Sequence, residues 1–103
     1  MEEYIMTIDE GTTSARAILF NKNSEIVAMC SKEFAQYYPT PGWVEQDPKE
    51  IWLTTKEVMN RVVQQSGIDP KQIKAAGITN QRETVVVYDK NTGEPVYNAI
   101  GWA

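Results

Sequence analysis

Histidine is absent from the chain and Cys30 is its only cysteine. A disulfide within the chain is therefore excluded, and a reducing, cytoplasmic setting is expected. A zinc site built from this chain's Cys and His side chains is excluded as well. Basic residues are few: 10 Lys and Arg stand against 14 Asp and Glu, for a net charge of −4. No two of them are adjacent, so the clustered positive charge of a nucleic-acid surface is missing. No apolar run is long enough to span a membrane. The acidic start Met1-Glu2-Glu3-Tyr4 has no signal-peptide character. There is no internal repeat, no low-complexity stretch, and no Gly-x-x-x-x-Gly-Lys-Ser/Thr phosphate loop.

What remains is a chain of 103 residues, 42% hydrophobic and 23% charged, enough for one small domain with a core. It is organised around the turn Asp9-Glu10-Gly11-Thr12-Thr13-Ser14-Ala15-Arg16. Tyr4 to Ile8 before it and Ala15 to Phe20 after it read as strands, and so short a connection predicts a hairpin. Gly11 lets the backbone approach a ligand. Thr12, Thr13 and Ser14 offer hydroxyls, and the turn amides can form an anion-binding concavity. Arg16 can meet phosphate oxygens with two parallel hydrogen bonds. Asp9 repels phosphate unless a hard cation such as Mg²⁺ lies between them. The pattern points to a nucleotide-phosphate and metal hairpin. The same composition also describes an ordinary polar turn.

Asn21 to Ser24 has turn composition, and Glu25 to Phe34 reads as a third strand, completing an antiparallel meander. Gln36 to Gln46, with Pro39, Pro41 and Gly42, predicts an irregular loop pinned to the body by Tyr37, Tyr38 and Trp43. Base or sugar stacking by these aromatics is the alternative. A covering helix follows. Asp47 is its N-cap, Pro48 its first residue, Glu50 the partner in a capping box and Gly67 its C-terminal cap. Ile51, Thr55, Val58, Met59, Val62 and Val63 share its apolar face, widened by Trp52. Asp69-Pro70 starts a short turn or helix, and Ile73 to Thr79 a fourth strand, which the intervening helix permits to pair in parallel. Thr84 to Asp89 reads as a fifth strand, Lys90 to Glu94 as a hairpin turn and Pro95 to Ile100 as the returning strand.

This order of elements is similar to the ribonuclease-H-like domain of the sugar-kinase and actin type: an α/β fold whose mixed sheet starts with three antiparallel strands and carries a covering helix. Four stretches narrow it. Asp9 to Ala17, Pro41 to Pro48, Gly77 to Thr84 and Tyr97 to Ile100 resemble the glycerol kinases, in order and spacing. The likeness spans nearly the whole chain but only the first part of those enzymes. It implies that residues 1–103 are the N-terminal part of the first domain of a two-domain kinase, with the rest of the chain absent. The apolar ending Asn98 to Ala103 suggests the same cut.

The resemblance further implies ATP-dependent, Mg²⁺-assisted phosphorylation of glycerol by a cytoplasmic enzyme that is a homo-oligomer at full length. It places Asp9 near the metal, and Thr12, Thr13, Ser14 and Arg16 at the nucleotide's phosphates, with Thr12 also at the product phosphate. It places Arg82, Glu83 and Trp102 at glycerol. No catalytic residue is expected within 1–103, because the general-base aspartate lies later, and the isolated piece is expected to be inactive. Some positions depart from the family pattern. Glu10 stands where Gln is common, and its added charge is tolerable if the side chain points outward or to the metal. Gln46 replaces a common His, with no expected effect on chemistry. Gly101 and Ala103 flank Trp102 where a bulkier apolar residue and Gln are usual.

Three rivals remain open: a kinase for another polyol or sugar, a non-catalytic nucleotide-binding sensor, and a ribonuclease-H-like nuclease, the last disfavoured by the lack of basic clusters. Arg82 and Glu83 carry their own condition. Neighbours in extended structure point to opposite faces, so they serve one ligand only if the chain turns there.

Overall fold

The computed structural model describes residues 2–80 and 84–101. The expected meander is present: β1 (Tyr4–Glu10), β2 (Ser14–Asn21) and β3 (Ile26–Glu33) pair antiparallel in sequence. The turn between β2 and β3 closes on Asn21, whose side-chain oxygen accepts from the amides of Asn23 and Glu25. After helix α1 (Pro48–Ser66) and a 3₁₀ turn at Pro70–Gln72, β5 (Ile73–Thr79) returns parallel to β1, giving the order β3-β2-β1-β5.

Alternation along the strands creates the core. Met6 and Ile8 of β1, Ala15, Ala17 and Leu19 of β2 and Cys30 of β3 turn to one face of the sheet, where they meet Val58 and Val62 of α1. The two alanines are fully buried and let the helix come close. Leu19, Val58 and Val62 are the largest fully buried side chains. Each is worth about 1.5–3 kcal/mol relative to exposure. The helix starts and stops where its sequence dictates. Asp47 accepts from the Lys49 amide, Pro48 needs no acceptor in the first turn, and Gly67 ends the helix in the left-handed conformation at φ 72°. Asp69 and Gln72 form a capping box around the 3₁₀ turn.

The structure corrects several expectations. Glu50 does not close a capping box. Its carboxylate leaves the helix and accepts from the Ala35 amide (2.8 Å) and the Tyr37 hydroxyl (3.2 Å). The stretch from Gln36 to Gln46 is not wholly irregular. Val44–Gln46 forms β4, paired antiparallel with β6 (Ala99–Gly101), and Tyr37 and Glu45 exchange both backbone hydrogen bonds. Backbone pairing, not aromatic burial, holds this loop: Tyr37, Tyr38 and Trp43 are 42, 69 and 57% exposed. Trp52 is exposed too, and the buried helix face is Thr54, Thr55, Val58 and Val62. Residues Thr84 to Asp89 form no continuous strand. They touch the returning segment through single bridges, Val85 to Ile100 and Tyr88 to Pro95, around the expected turn with Gly93 at φ 75°. The β-branched run meets β6 only at Val85, which exchanges both backbone hydrogen bonds with Ile100, and Val85, Val86 and Val87 stay exposed.

Candidate functional site

The site is built on the β1–β2 hairpin. Ladder pairing runs to Glu10 and Ala15, and the Gly11 amide then donates to the Ser14 carbonyl at 2.9 Å. Gly11 is required by contact rather than by φ. A Cβ there would lie 3.0 Å from the Ser14 carbonyl oxygen. The tip beyond is Thr12 and Thr13, both exposed.

The carbonyls of the tip are all claimed. Thr12 C=O accepts from Gln36 Nε2 (2.8 Å) and Gln46 Nε2 (2.6 Å), and Thr13 C=O accepts from the Phe34 amide (3.1 Å). The donors of the tip are not. The amides of Thr12 and Thr13, and the hydroxyls of Thr12, Thr13 and Ser14, have no acceptor among the described residues. Turning carbonyls inward in a trans peptide turns the following N–H outward. The hairpin therefore turns the Thr12 and Thr13 carbonyls inward and leaves its amides and hydroxyls outward, an arrangement that suits an anion.

Alternation separates the two adjacent carboxylates. Asp9 and Arg16 are cross-strand partners, and both are exposed on the face of the sheet away from α1. No ion pair joins them, and Arg16 makes no hydrogen bond among the described residues. Asp9 Oδ1 accepts from Thr79 Oγ1 at 3.1 Å, because β5 sets Thr79 beside it in parallel register. Glu10 points the other way. Its Oε1 lies 2.5 Å from Thr55 Oγ1 of α1, and its Oε2 is buried without a partner among the described residues. It lines an apolar groove of about 480 Å³ with Ile8, Ile51, Trp52 and Ile78, on the helix side of the sheet. Glu10 thus points neither outward nor to the Asp9 side of the sheet, the directions expected from the sequence, but inward against α1, because alternation along β1 turns it to the opposite face from Asp9.

The fit to a divalent cation rests on Asp9. Among the described residues no group of three or more Asp, Glu, His or Cys gathers at one place. Asp9 is a single accessible carboxylate beside phosphate-type donors, which suits Mg²⁺ held mainly by water and phosphate oxygens. It does not suit a cation caged by protein ligands. Arg82, Glu83 and Trp102 lie outside the described residues. No helix among the described residues is long and apolar enough to cross a membrane.

Sequence reasoning missed Gln36, Gln46 and Thr79. Gln36 carries no motif, and Gln46 stands out only as a departure with no expected role; they reach the hairpin across 24 and 34 residues. Thr79 was findable by aligning the ends of β1 and β5, where Ile8-Asp9 faces Ile78-Thr79. A buried carboxylate lies next to Gln46 in β4. Glu45, 3% exposed, accepts from the Tyr97 hydroxyl (2.8 Å) and Asn98 Nδ2 (3.3 Å), and the bond to Glu45 raises the pKa of the Tyr97 phenol.

Comparison with known proteins agrees with this geometry. Residues 4–103 match the N-terminal domain of the FGGY family of carbohydrate kinases. The chain is 57% identical over 102 residues to a glycerol kinase of Caldanaerobacter subterraneus subsp. tengcongensis, and 59% identical over 102 residues to one of Bacillus subtilis. Each alignment covers 99% of this chain but only 20 or 21% of the relative, so the chain spans about a fifth of their length. Among solved structures, Plasmodium falciparum glycerol kinase with ADP superposes with a TM-score of 0.84 at 33% identity, covering 97% of this chain and 20% of that one. A gluconate kinase from Lactobacillus acidophilus superposes at 0.87 with 28% identity, covering 97% and 20%. The antiparallel meander, the covering helix and the parallel return are thus a sugar-kinase fold, and the chain belongs to the FGGY family of carbohydrate kinases, whose N-terminal domain it matches.

Proposed function

We propose that residues 1–103 are the N-terminal part of the first domain of a kinase that transfers the γ-phosphoryl group of ATP to glycerol, giving sn-glycerol 3-phosphate. The observation that carries this is the hairpin tip, with the Thr12 and Thr13 carbonyls tied back, its hydroxyls and amides without an acceptor among the described residues, and Arg16 beside it, likewise without a partner among them. Phosphoryl transfer depends on positioning and charge stabilisation more than on covalent chemistry, and these groups supply both. Thr12, Thr13 and Ser14 donate to phosphate oxygens, and Arg16 neutralises them. Thr12 keeps its contact with the transferred group in the product. Asp9 holds Mg²⁺, directly or through its waters. A bound Mg²⁺ supplies charge neutralisation at the phosphates.

Arg82 and Glu83 hold two glycerol hydroxyls, one donating and one accepting. Trp102 covers the carbon chain. The general base and the adenine pocket belong to sequence beyond residue 103, so the piece alone is inactive. The full-length enzyme is a cytoplasmic homo-oligomer. Glycerol is favoured over other acceptors because the relatives at 57 and 59% identity carry that name. Gluconate and xylulose kinases stand at 28% or below among solved structures.

The test is a panel of acceptors with the full-length gene product and ATP. Glycerol should give the highest kcat/KM, and Glu83→Gln should raise the glycerol KM about tenfold or more through loss of a charge-assisted hydrogen bond. A preference for gluconate or xylulose would reassign the substrate. Nucleotide binding without transfer to any acceptor would make the protein a sensor.

A further inference from the structure

The side chains that tie back the Thr12 carbonyl come from Gln46, beside the start of α1, and from Gln36, whose neighbours are held by the first turn of that helix. Gln46 is one residue before the N-cap Asp47, and its side chain is 2% exposed. Its Nε2 donates to Thr12 C=O at 2.6 Å and to Gln36 Oε1 at 3.0 Å. Gln36 donates to the same carbonyl at 2.8 Å. Gln36 is itself held on both sides, because Glu50 of the first helical turn accepts from Ala35 N and Tyr37 Oη. The amide orientations are fixed by chemistry. Thr12 C=O can only accept, so each glutamine must turn its nitrogen to it.

From this arrangement we propose that Gln46, with Gln36, forms a clamp that positions the hairpin for nucleotide phosphate. The proposal rests on the reading of the hairpin as a phosphate site. Gln46 is a positioning residue and touches no ligand. By holding the Thr12 carbonyl away from the tip it keeps a phosphate-repelling oxygen out of the site and the Thr13 amide turned toward it. The sequence suggests no effect of this glutamine on the chemistry; the structure gives it one. The clamp also makes hairpin geometry depend on how α1 begins, through Asp47 and Glu50.

The test uses the full-length gene product with Gln46→Glu, Gln36→Glu and Gln46→His. The Glu variants keep shape but present an oxygen to the Thr12 carbonyl. Gln36→Glu is the check in case the more buried Gln46→Glu does not fold. The His variant keeps an N–H donor. Hydrogen exchange at the Gly11 and Phe34 amides, which donate to Ser14 and Thr13, should quicken about tenfold in the Glu variants. The ATP KM should rise about tenfold, with the glycerol KM within about twofold, and Gln46→His should restore most of the loss.

Unchanged exchange in a folded Glu variant overturns the clamp. Quickened exchange with an unchanged ATP KM overturns the positioning role, and so does a parallel rise of both KM values that His fails to rescue. If the wild type transfers no phosphate to glycerol, the proposed activity falls. Exchange and ADP titration in the same variants then decide the clamp alone.

Discussion

Replacing Gly11 by Ala tests how finely the hairpin is set. The added Cβ would lie 3.0 Å from the Ser14 carbonyl oxygen and 3.9 Å from Ser14 Oγ. That carbonyl is already held by the Gly11 amide at 2.9 Å, so the contact cannot relax without moving the tip by a few tenths of an ångström. Overpacking of this kind costs roughly 1–3 kcal/mol. The stiffer unfolded chain of the alanine variant returns about 0.4–1 kcal/mol. The net loss of stability is then about 0–2.6 kcal/mol, which a folded protein tolerates. Catalysis is more sensitive. A misplacement of about 1 Å costs on the order of 100-fold, so a few tenths should cost about 4–10-fold in kcat/KM for ATP. Steady-state kinetics of the full-length enzyme with ATP varied, alongside denaturant unfolding, measures both. Unchanged kcat/KM for ATP would refute the reasoning, and so would loss of activity only in step with loss of the fold.

Two further outcomes follow from side chains near the site. Glu10→Gln keeps an acceptor for Thr55 and exchanges Oε2, buried with no partner among the described residues, for an amide nitrogen equally without one, so stability should stay within about 1 kcal/mol, read by denaturant unfolding. The same variant should leave kcat and both KM values within about twofold, because the side chain lies on the opposite face of β1 from Asp9; a tenfold fall in kcat would place Glu10 in the site. The Tyr97 phenol donates to buried Glu45 and so ionises above the ordinary value of 10.0. Its contribution is intact below pH 10 and is lost as pH rises through the raised value. Wild type should therefore lose more stability across that alkaline window than Tyr97→Phe, measured as unfolding midpoints at a series of pH values, and parallel curves would discount the bond.

The sequence was legible where a local rule decided the structure. The meander followed from alternation, and the helix from Asp47, Pro48 and Gly67. The hairpin followed from the short, hydroxyl-rich link between two apolar runs. It was illegible where distant groups competed. Glu50 has the spacing of a capping-box residue, yet a backbone amide at Ala35 and a phenol at Tyr37 capture it. The run Thr84 to Asp89 has strand composition, but it meets the three-residue strand β6 at Val85 alone, so pairing does not extend into a strand. At the site, residue types pointed to the hairpin, while the glutamines that set its carbonyls are visible only once the chain is folded.

The central claim is that the hairpin binds nucleotide phosphate through Arg16 and its open donors. Titration of ADP into the full-length protein, wild type against Arg16→Ala, measures it without requiring turnover. A charge-assisted hydrogen bond is worth about 1.5–3 kcal/mol, so loss of Arg16 should weaken ADP by about 10-fold to 150-fold and leave glycerol binding unchanged. An ADP affinity equal to that of the wild type would contradict the account.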